Sequence, residues 1–501
     1  MTFNNKVVYL EEIRLDIADD VALCYGHFNL IHPGHLRYLQ HAKTLAKKLI
    51  IAIKSDRELD ADSFGQHFSE NERAESVANL EIVNYVVILD TNSLDELISS
   101  LKPSVLVLGK EFENRKTKKI ELAINTVKKQ GRVVFHAGEA HYATTQFLHD
   151  NVSDLESSNI VKFKTICESN NITCDTLQSR ISGFSCSKLL VIGDTIVDNY
   201  VACDAVGMSA EAPVLVVKEL ENREFIGGAA IVASHVRALG AKCYYISVVG
   251  DDLLSSSVKE VLDNRDIDTN LIIDPSRPTT YKTRYMVDNQ KLFRVSRIKD
   301  HKISEKVENK VINKLNEIAP NIDGIMVSDF VYGVITPNIL TEILHLAGKF
   351  NLKLFGDLQC SSQVGKVTKF NEFDLITPTE KEARIALDDN ESGIEWIANT
   401  LLDNTHTKNM LMKLGSDGFI AYSGKNLGCR QDFPALTVNP IDVTGAGDSL
   451  FAAMSVALVS NASLIEASAI GACMASLSVQ EVGNIPITKS RLNSHIVDTL
   501  G

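Results

Sequence analysis

Residues Asn439–Met454 read NPIDVTGAGDSLFAAM. Gly445, Ala446 and Gly447 stand directly before Asp448 and an apolar run with helical spacing, and Thr444 adds a hydroxyl to the same turn. Small residues there let backbone N–H groups point inward at a helix start, where the dipole and unpaired donors favour a phosphate or a developing anion. An acid at such a place suits phosphoryl transfer. Asp448 would accept the proton of an attacking hydroxyl while the amides of Gly445 to Gly447 stabilise the transferring group, a reaction that asks mainly for positioning and charge neutralisation. The same residues also describe an ordinary helix N-terminus with Asp in its first turn, which is favourable in any protein.

Working outward, apolar runs alternate with helical patterns on both sides of a polar middle. The first 150 residues carry VALCYG, a helix from Pro33 to about Lys48, then LIIAIKSD, VNYVVIL, VLVLG and RVVFHAG. Strands alternating with helices predict parallel βαβ units in a small doubly wound α/β domain. Residues 151–186, with DNVSDLESSN and ESNNITCD, are polar and turn-prone and predict a linker, although DTLQSRISGF suits a short helix. From KLLVIGDTIVDNY the alternation resumes, so residues 187–501 predict a second, larger α/β domain. Within it, APVLVVKEL and TTYKTRYMVDNQKLFRV have period-two patterns, the second broken by Asp288-Asn289 as a hairpin turn. They predict a small antiparallel appendage that serves as lid or dimer surface.

The bulk numbers fit that division. A chain of 501 residues with 45% hydrophobic and 23% charged residues is globular and too long for one ordinary core. A net charge of −13 argues against a general nucleic-acid surface, so phosphate chemistry must be local. Nine cysteines without a CxxC pair, and no signal-like start, point to a reducing cytoplasm. The most apolar stretch, Ser449–Val479, is interrupted by Asn461 and Glu466, so packed helices are expected rather than a membrane span.

A second motif lies at Gly26–Lys43, GHFNLIHPGHLRYLQHAK. His32 and His35 flank Pro33-Gly34 where an apolar helical pattern begins. Three readings are open. Metal ligation needs further ligands, and neither HExxH nor a Cys/His cluster accompanies them. They are otherwise polar residues at a helix start with Pro33 in the first turn, or donors that hold a nucleotide's phosphates. In the last reading Gly34 lets a ligand approach the backbone and imidazole meets charge building on the α/β-phosphate bridge.

Residues Lys188 to Gly501 resemble the ribokinase-like (PfkB) sugar kinases, through FIGGAAIVASHVRALGA followed by DVTGAGDSLFA. GDTIVDNY, SAEAPVLVV, VSDFVYGVI and LITPTEKEA narrow the likeness to the kinase part of bacterial bifunctional heptose kinase/nucleotidyltransferases. The resemblance implies an Mg·ATP-dependent kinase with Asp448 as base and Gly445 to Gly447 as anion hole. It implies that Asp198, Gly227 and Gly228 line the sugar pocket. It also implies that Lys282, Arg284 and Arg294 suit an already phosphorylated sugar; solvated edge-strand charges are the alternative. Two departures bear on substrate. Ile231 stands where the family has an amide, removing a donor and an acceptor, and GDLQC keeps Asp357 but lacks the lysine of a DPK-like strand end. The element that helps organise Mg²⁺ keeps Glu382 but has Thr379 in place of Asn.

Residues 21 to about 148 resemble the cytidylyltransferase-like nucleotidyltransferases, whose GxFxxxHxGH signature is matched by Gly26, Phe28, His32, Gly34 and His35. The resemblance implies a Rossmann-like domain in which Lys43 meets nucleotide phosphates, Ser55-Asp56 ends a strand at the site, and Arg73 of ENER also serves it. Thr144 and Thr145 of HYATTQFL would bind the triphosphate, in a segment otherwise altered. Together the two likenesses imply a cytoplasmic two-step sugar-activating enzyme with the domains in the order opposite to the best-known heptose enzymes. One half makes a sugar 1-phosphate with Mg·ATP, and the other couples it to a second NTP, ATP or CTP, for surface polysaccharide synthesis. The partners implied are small molecules and a second copy of the chain through the β lid, with no nucleic acid and no membrane. A kinase with a degenerate N-terminal domain, and a ligand sensor without turnover, are the other readings.

Overall fold

The computed structural model describes residues 6–8, 20–29, 31, 33–56, 68–89, 94–109, 118–129, 131–136, 152–209, 211, 214–287, 290–360, 364–424 and 429–501. His32, Thr144, Thr145 and the Asp288-Asn289 turn therefore lie outside the described residues. Two compact units form, Met1–Asn151 grouped with Asp389–Ala398, and Val152–Asp388 with Asn399–Gly501.

In the first unit six strands, β1 (Val7–Val8), β2 (Val21–Gly26), β3 (Lys48–Lys54), β4 (Tyr85–Leu89), β5 (Val105–Gly109) and β6 (Arg132–His136), make a parallel sheet of order β1-β4-β3-β2-β5-β6. Strands covered on both faces read as near-continuous apolar runs, and Leu49 to Ile53 are wholly buried. One face packs Ala22 and Cys24 against Leu39, Ala42 and Val77, and the other packs Leu23 and Tyr25 against Leu97, Ile98 and Ala123. The order reverses beside β2, so the crevice beyond Gly26 is the switch point at which such sheets bind ligands. The helix after β2 is Pro33–Thr44, one turn shorter than the pattern predicts.

The second unit is built on β7 (Lys188–Gly193), β10 (Lys242–Val249), β11 (Asp268–Ile273), β14 (Gly324–Asp329), β15 (Lys353–Leu358), β16 (Leu375–Ile376), β17 (Asn409–Lys413), β18 (Phe419–Ser423) and β19 (Cys429–Phe433). Their order is β11-β10-β7-β14-β15-β16-β17-β18-β19, with β18 antiparallel to both of its neighbours. Helix Ala446–Val459 is buried from Asp448 through Leu458. A helix apolar all round must be enclosed, and helices Leu464–Ser478 and Ala229–Ala238 share its core.

The appendage is larger than the period-two segments predict. A separate sheet of order β13-β12-β8-β9 uses β8 (Thr195–Met208) and β9 (Leu215–Gly228), with β12 (Thr280–Val287) parallel to β8 and β13 (Gln290–Arg297) antiparallel to β12. The first seven residues of β8 are buried, whereas its far end and most of β9 are open on both faces.

Residues 151–186 are not a linker. Helices Val152–Ser169 and Cys174–Ser182 lie there, and Phe163, Cys167, Leu177, Ile181 and Phe184 are buried in the core of the second unit. Asn159 Nδ2 donates to the Ala435 carbonyl at 2.9 Å and Glu156 accepts from Val438 N–H at 3.1 Å. A few apolar residues at helical spacing outweigh the polar composition between them.

Candidate active sites

In the second unit Asp448 sits in the first turn of its helix behind Gly445, whose φ of +82° is left-handed. That conformation favours glycine, and a Cβ at Gly445 would overlap Asn484 Oδ1. Asp442 shapes the turn: its Oδ1 accepts from Thr444 N–H at 3.1 Å and Thr444 Oγ1 at 2.8 Å, and its Oδ2 from Tyr200 Oη at 2.9 Å. Thr444 lines the cavity, and its hydroxyl also braces the loop.

Around Asp448 the side chains come from separate strands. Its Oδ1 accepts from Gln359 Nε2 at 2.7 Å, and the same amide reaches Asp357 Oδ2 at 3.1 Å. Asp357 is wholly buried and accepts from Lys413 Nζ at 2.7 Å and Thr377 Oγ1 at 2.5 Å. Burial pushes the Asp448 carboxyl up to about 8; Asp357 and Asp198 add to the rise, while Lys413 and Gln359 oppose it. A carboxyl so placed is a better proton acceptor than an ordinary aspartate. The sign for activity follows: below about 8 Asp448 holds a proton and is no base. With both substrates below saturation, kcat/KM should climb about tenfold per pH unit up to that value and then level. A flat profile between pH 6 and 8 would remove Asp448 as the base.

One cavity of about 670 Å³ joins this cluster to the predicted sugar residues, with Asp198, Gly228, Lys282, Arg284 and Arg294 lining its other end. Asp198 Oδ1 accepts from Arg284 Nη1 at 2.5 Å and Oδ2 from Asn484 Nδ2 at 3.1 Å. Gly227 must be glycine, since a Cβ would overlap the Asp198 carboxylate. Lys282 is 3% exposed, its ammonium 5.6 and 5.2 Å from the Phe330 and Tyr332 ring centres, so it is not a solvated edge-strand charge. Glu382 lines the cavity, but its oxygens accept from Thr379 N–H at 2.8 Å and Cys360 N–H at 3.0 Å, making it a helix cap as well. Each oxygen keeps a second lone pair, so Glu382 fits water-mediated Mg²⁺ but not by an amide partner at Thr379. Ile231 is wholly buried in its helix.

Sequence reading missed Lys413, Gln359 and Asn484. A lysine closing the apolar run NMLMK was a usable signal. Asn484 was signalled only by lying between Gly483 and a proline two residues on. Its Oδ1 is buried without a partner among the described residues.

In the first unit Gly26 ends β2 at the crevice, and a Cβ there would come within 2.9 Å of the Phe28 ring. Phe28 is in the core, its ring centre 5.3 Å from that of the half-buried His35, so it backs the His35 ring. Gly34 and His35 lie in the first turn of helix Pro33–Thr44, whose leading amides have no acceptor within the helix.

Two predicted residues are bonded to the scaffold, Lys43 away from this crevice and Arg73 beneath its loop. Lys43 donates to the Lys47 carbonyl at 2.6 Å and Asn84 Oδ1 at 2.9 Å, tying the far end of the helix to the start of β3. The helix's ten-residue advance carries it about 15 Å from Pro33. Arg73 is wholly buried, donating to the carbonyls of Phe68 at 2.9 Å, His27 at 2.8 Å and Lys54 at 2.9 Å, and pairing with Asp56 at 2.7 Å. It shapes the loop that carries His27 and Phe28. Ser55 is buried beside it. No cluster of three or more metal-ligating side chains occurs among the described residues, and none of their helices is long and apolar enough to cross a membrane.

Residues 187–490 match the family described as pfkB family carbohydrate kinase, and residues 23–163 match the one described as Cytidylyltransferase-like. Bifunctional protein HldE of Trichlorobacter lovleyi is 29% identical over 321 residues, which are 63% of this chain and 64% of that protein. Bifunctional protein HldE of Helicobacter hepaticus is 31% identical over 314 residues, 62% of this chain and 64% of that one. The matched part thus spans just under two thirds of these relatives. Phosphofructokinase-2 from Escherichia coli, solved in complex with substrates and products, superposes with a TM-score of 0.52 at 15% identity over 62% of this chain and 99% of that chain, a likeness of fold. Since the kinase match spans more than half of the residues and includes both the anion-hole turn and the sugar end of the cavity, the chain belongs to the pfkB family of carbohydrate kinases.

Proposed function

We propose that the chain activates a sugar in two steps. The second unit transfers the γ-phosphoryl group of ATP to C1 of a sugar phosphate of the heptose 7-phosphate type. The first unit then transfers a nucleotidyl group, from ATP before CTP, to the resulting sugar 1-phosphate and releases pyrophosphate, supplying surface polysaccharide synthesis. The observation that carries this is Asp448, held behind a left-handed Gly445 in a cavity whose far end is lined by Lys282, Arg284 and Arg294.

The sugar hydroxyl oxygen attacks the γ-phosphorus as its proton passes to Asp448. The bond to the β–γ bridging oxygen breaks, and its electron pair leaves with ADP. Amides of the Gly445–Gly447 turn meet the charge on the phosphoryl oxygens. Glu382 would hold Mg²⁺ through water, and the ion when bound neutralises phosphate charge. At the other end the buried cations favour a second phosphate, because a desolvated Lys282 and Arg284 gain most from an anion. Apolar residues left open on the lid, among them Met208, Leu215, Leu220 and Val295, support pairing with a second copy.

For the first unit, His35 and the leading amides of its helix would meet the α/β-phosphates. Replacing His35 with Ala should cut pyrophosphate release at least about 100-fold while sugar phosphorylation stays unchanged. That Lys43 and Arg73 serve the scaffold favours a second reading, in which this unit binds a nucleotide without turning it over. No pyrophosphate from any NTP with sugar 1-phosphates would select it.

A further inference from the structure

We propose that Lys413 is a catalytic residue of the kinase site, the cation that meets the phosphoryl group in flight; this rests on the kinase reading above. Lys413 closes β17, an interior strand, and its backbone is fixed by donation from its own N–H to the Pro378 carbonyl at 2.8 Å. Its side chain is 12% exposed and runs along the anion-hole turn: a Cβ built on Gly447 would lie 3.4 Å from Nζ and 3.8 Å from Cδ. The ammonium therefore stands beside the amides that receive the transferring group, one residue from the base.

Charge makes this cation necessary. Asp357, Glu382 and Asp448 are each under a tenth exposed; Glu382 and Asp448 line this end of the cavity, and Asp357 is buried beside it against Lys413. A triphosphate brought beside Glu382 and Asp357, and beside Asp448 once it has lost its proton, would be repelled strongly in so weakly screened a place. Four cations line the cavity among the described residues, and Lys282, Arg284 and Arg294 all stem from β12 and β13 at the sugar end. Lys413 is the one at the anion hole. Asp357 orients it with one hydrogen bond and is itself completed by Thr377 and Gln359. An ammonium has three donors, so the contact with Asp357 leaves capacity for phosphoryl oxygens. Burial opposes its charge, but Asp357, Glu382 and Asp448 keep its proton bound more tightly than usual.

The position also accounts for a departure in the sequence. The strand β15 ends in Asp357-Leu358 and is followed by Gln359, without a cation, and the positive charge beside Asp357 arrives instead from β17. Gln359 then links Asp357 to the base.

The test compares the full chain with Lys413→Met, Lys413→Ala and Lys413→Arg, using ATP and the sugar phosphate that the unmutated protein turns over best. Lys413→Met should lower kcat at least about 100-fold, the usual cost of losing a group that meets transition-state charge, while KM for the sugar stays within about threefold. Ethylammonium added to Lys413→Ala should restore part of kcat, which a merely structural lysine would not permit. Lys413→Arg reports folding, its thermal transition and sugar KM matching the unmutated protein. A kcat for Lys413→Met within threefold of the unmutated value, or Lys413→Ala indifferent to ethylammonium, would overturn the assignment while leaving the kinase reading intact. No phosphoryl transfer by the unmutated protein would overturn both.

Discussion

Asp448→Asn should lower kcat for sugar phosphorylation about 1000-fold, within the range that a positioned general base contributes, and leave both KM values within about threefold. Asparagine keeps the shape and still accepts from Gln359, whose amide lies 2.7 Å from Asp448 Oδ1. What is lost is the acceptor for the hydroxyl proton. Stability should move the other way. The folded carboxyl holds its proton up to about 8, against an ordinary value of 3.8. A group raised on folding contributes stability below its unfolded value, and that contribution is lost as pH rises through the folded one. Asparagine never ionises, so above pH 8 the variant should melt at an equal or higher temperature. Loss of turnover accompanied by a lower melting temperature would mean that Asp448 holds the structure rather than the proton.

Arg73→Met should be the most damaging single change in the first unit. The guanidinium is wholly buried and joins three carbonyls and Asp56 on separate segments. Methionine fills some of the space but leaves those acceptors without donors, at about 1–3 kcal/mol for each left desolvated. Water can reach part of Asp56, whose side chain is 35% exposed, so a total of about 3 kcal/mol is expected. Hydrogen exchange should report it locally, with faster exchange in Val21–Gly26 and Lys48–Lys54 and none in Lys188–Gly193 of the other unit. Unchanged exchange in β2 and β3 would show that Arg73 is replaceable and return it to the ligand.

These two residues also mark what the chain's order of amino acids reveals. Asp448 and its glycines were legible because the turn, the anion hole and the base lie within a few consecutive residues. The six-stranded first sheet was legible in its apolar runs, apart from the two-residue β1. Arg73 and Lys43 occupy motif positions, but where their side chains point depends on Asp56, Asn84 and carbonyls distant in the chain. Lys413, Gln359 and Asn484 meet Asp357, Asp448 and Asp198 from distant parts of the chain, so the weak local signals at Lys413 and Asn484 do not say what they touch. Residues 151–186 misled for another reason. Phe163 and Cys167, four residues apart, are buried with Ile166 packed beside them, in a helix whose first half is mostly polar.

In the proposed function this cavity phosphorylates a sugar that already carries a phosphate. The most direct measurement is mass spectrometry of products after incubating the protein with Mg²⁺, ATP and a panel of heptose, hexose and pentose phosphates, beside Asp448→Asn. One sugar bisphosphate should form in step with ADP, heptose 7-phosphate giving the most, and almost none from the variant. ADP formed without any phosphorylated sugar, or equal product from both proteins, would contradict it.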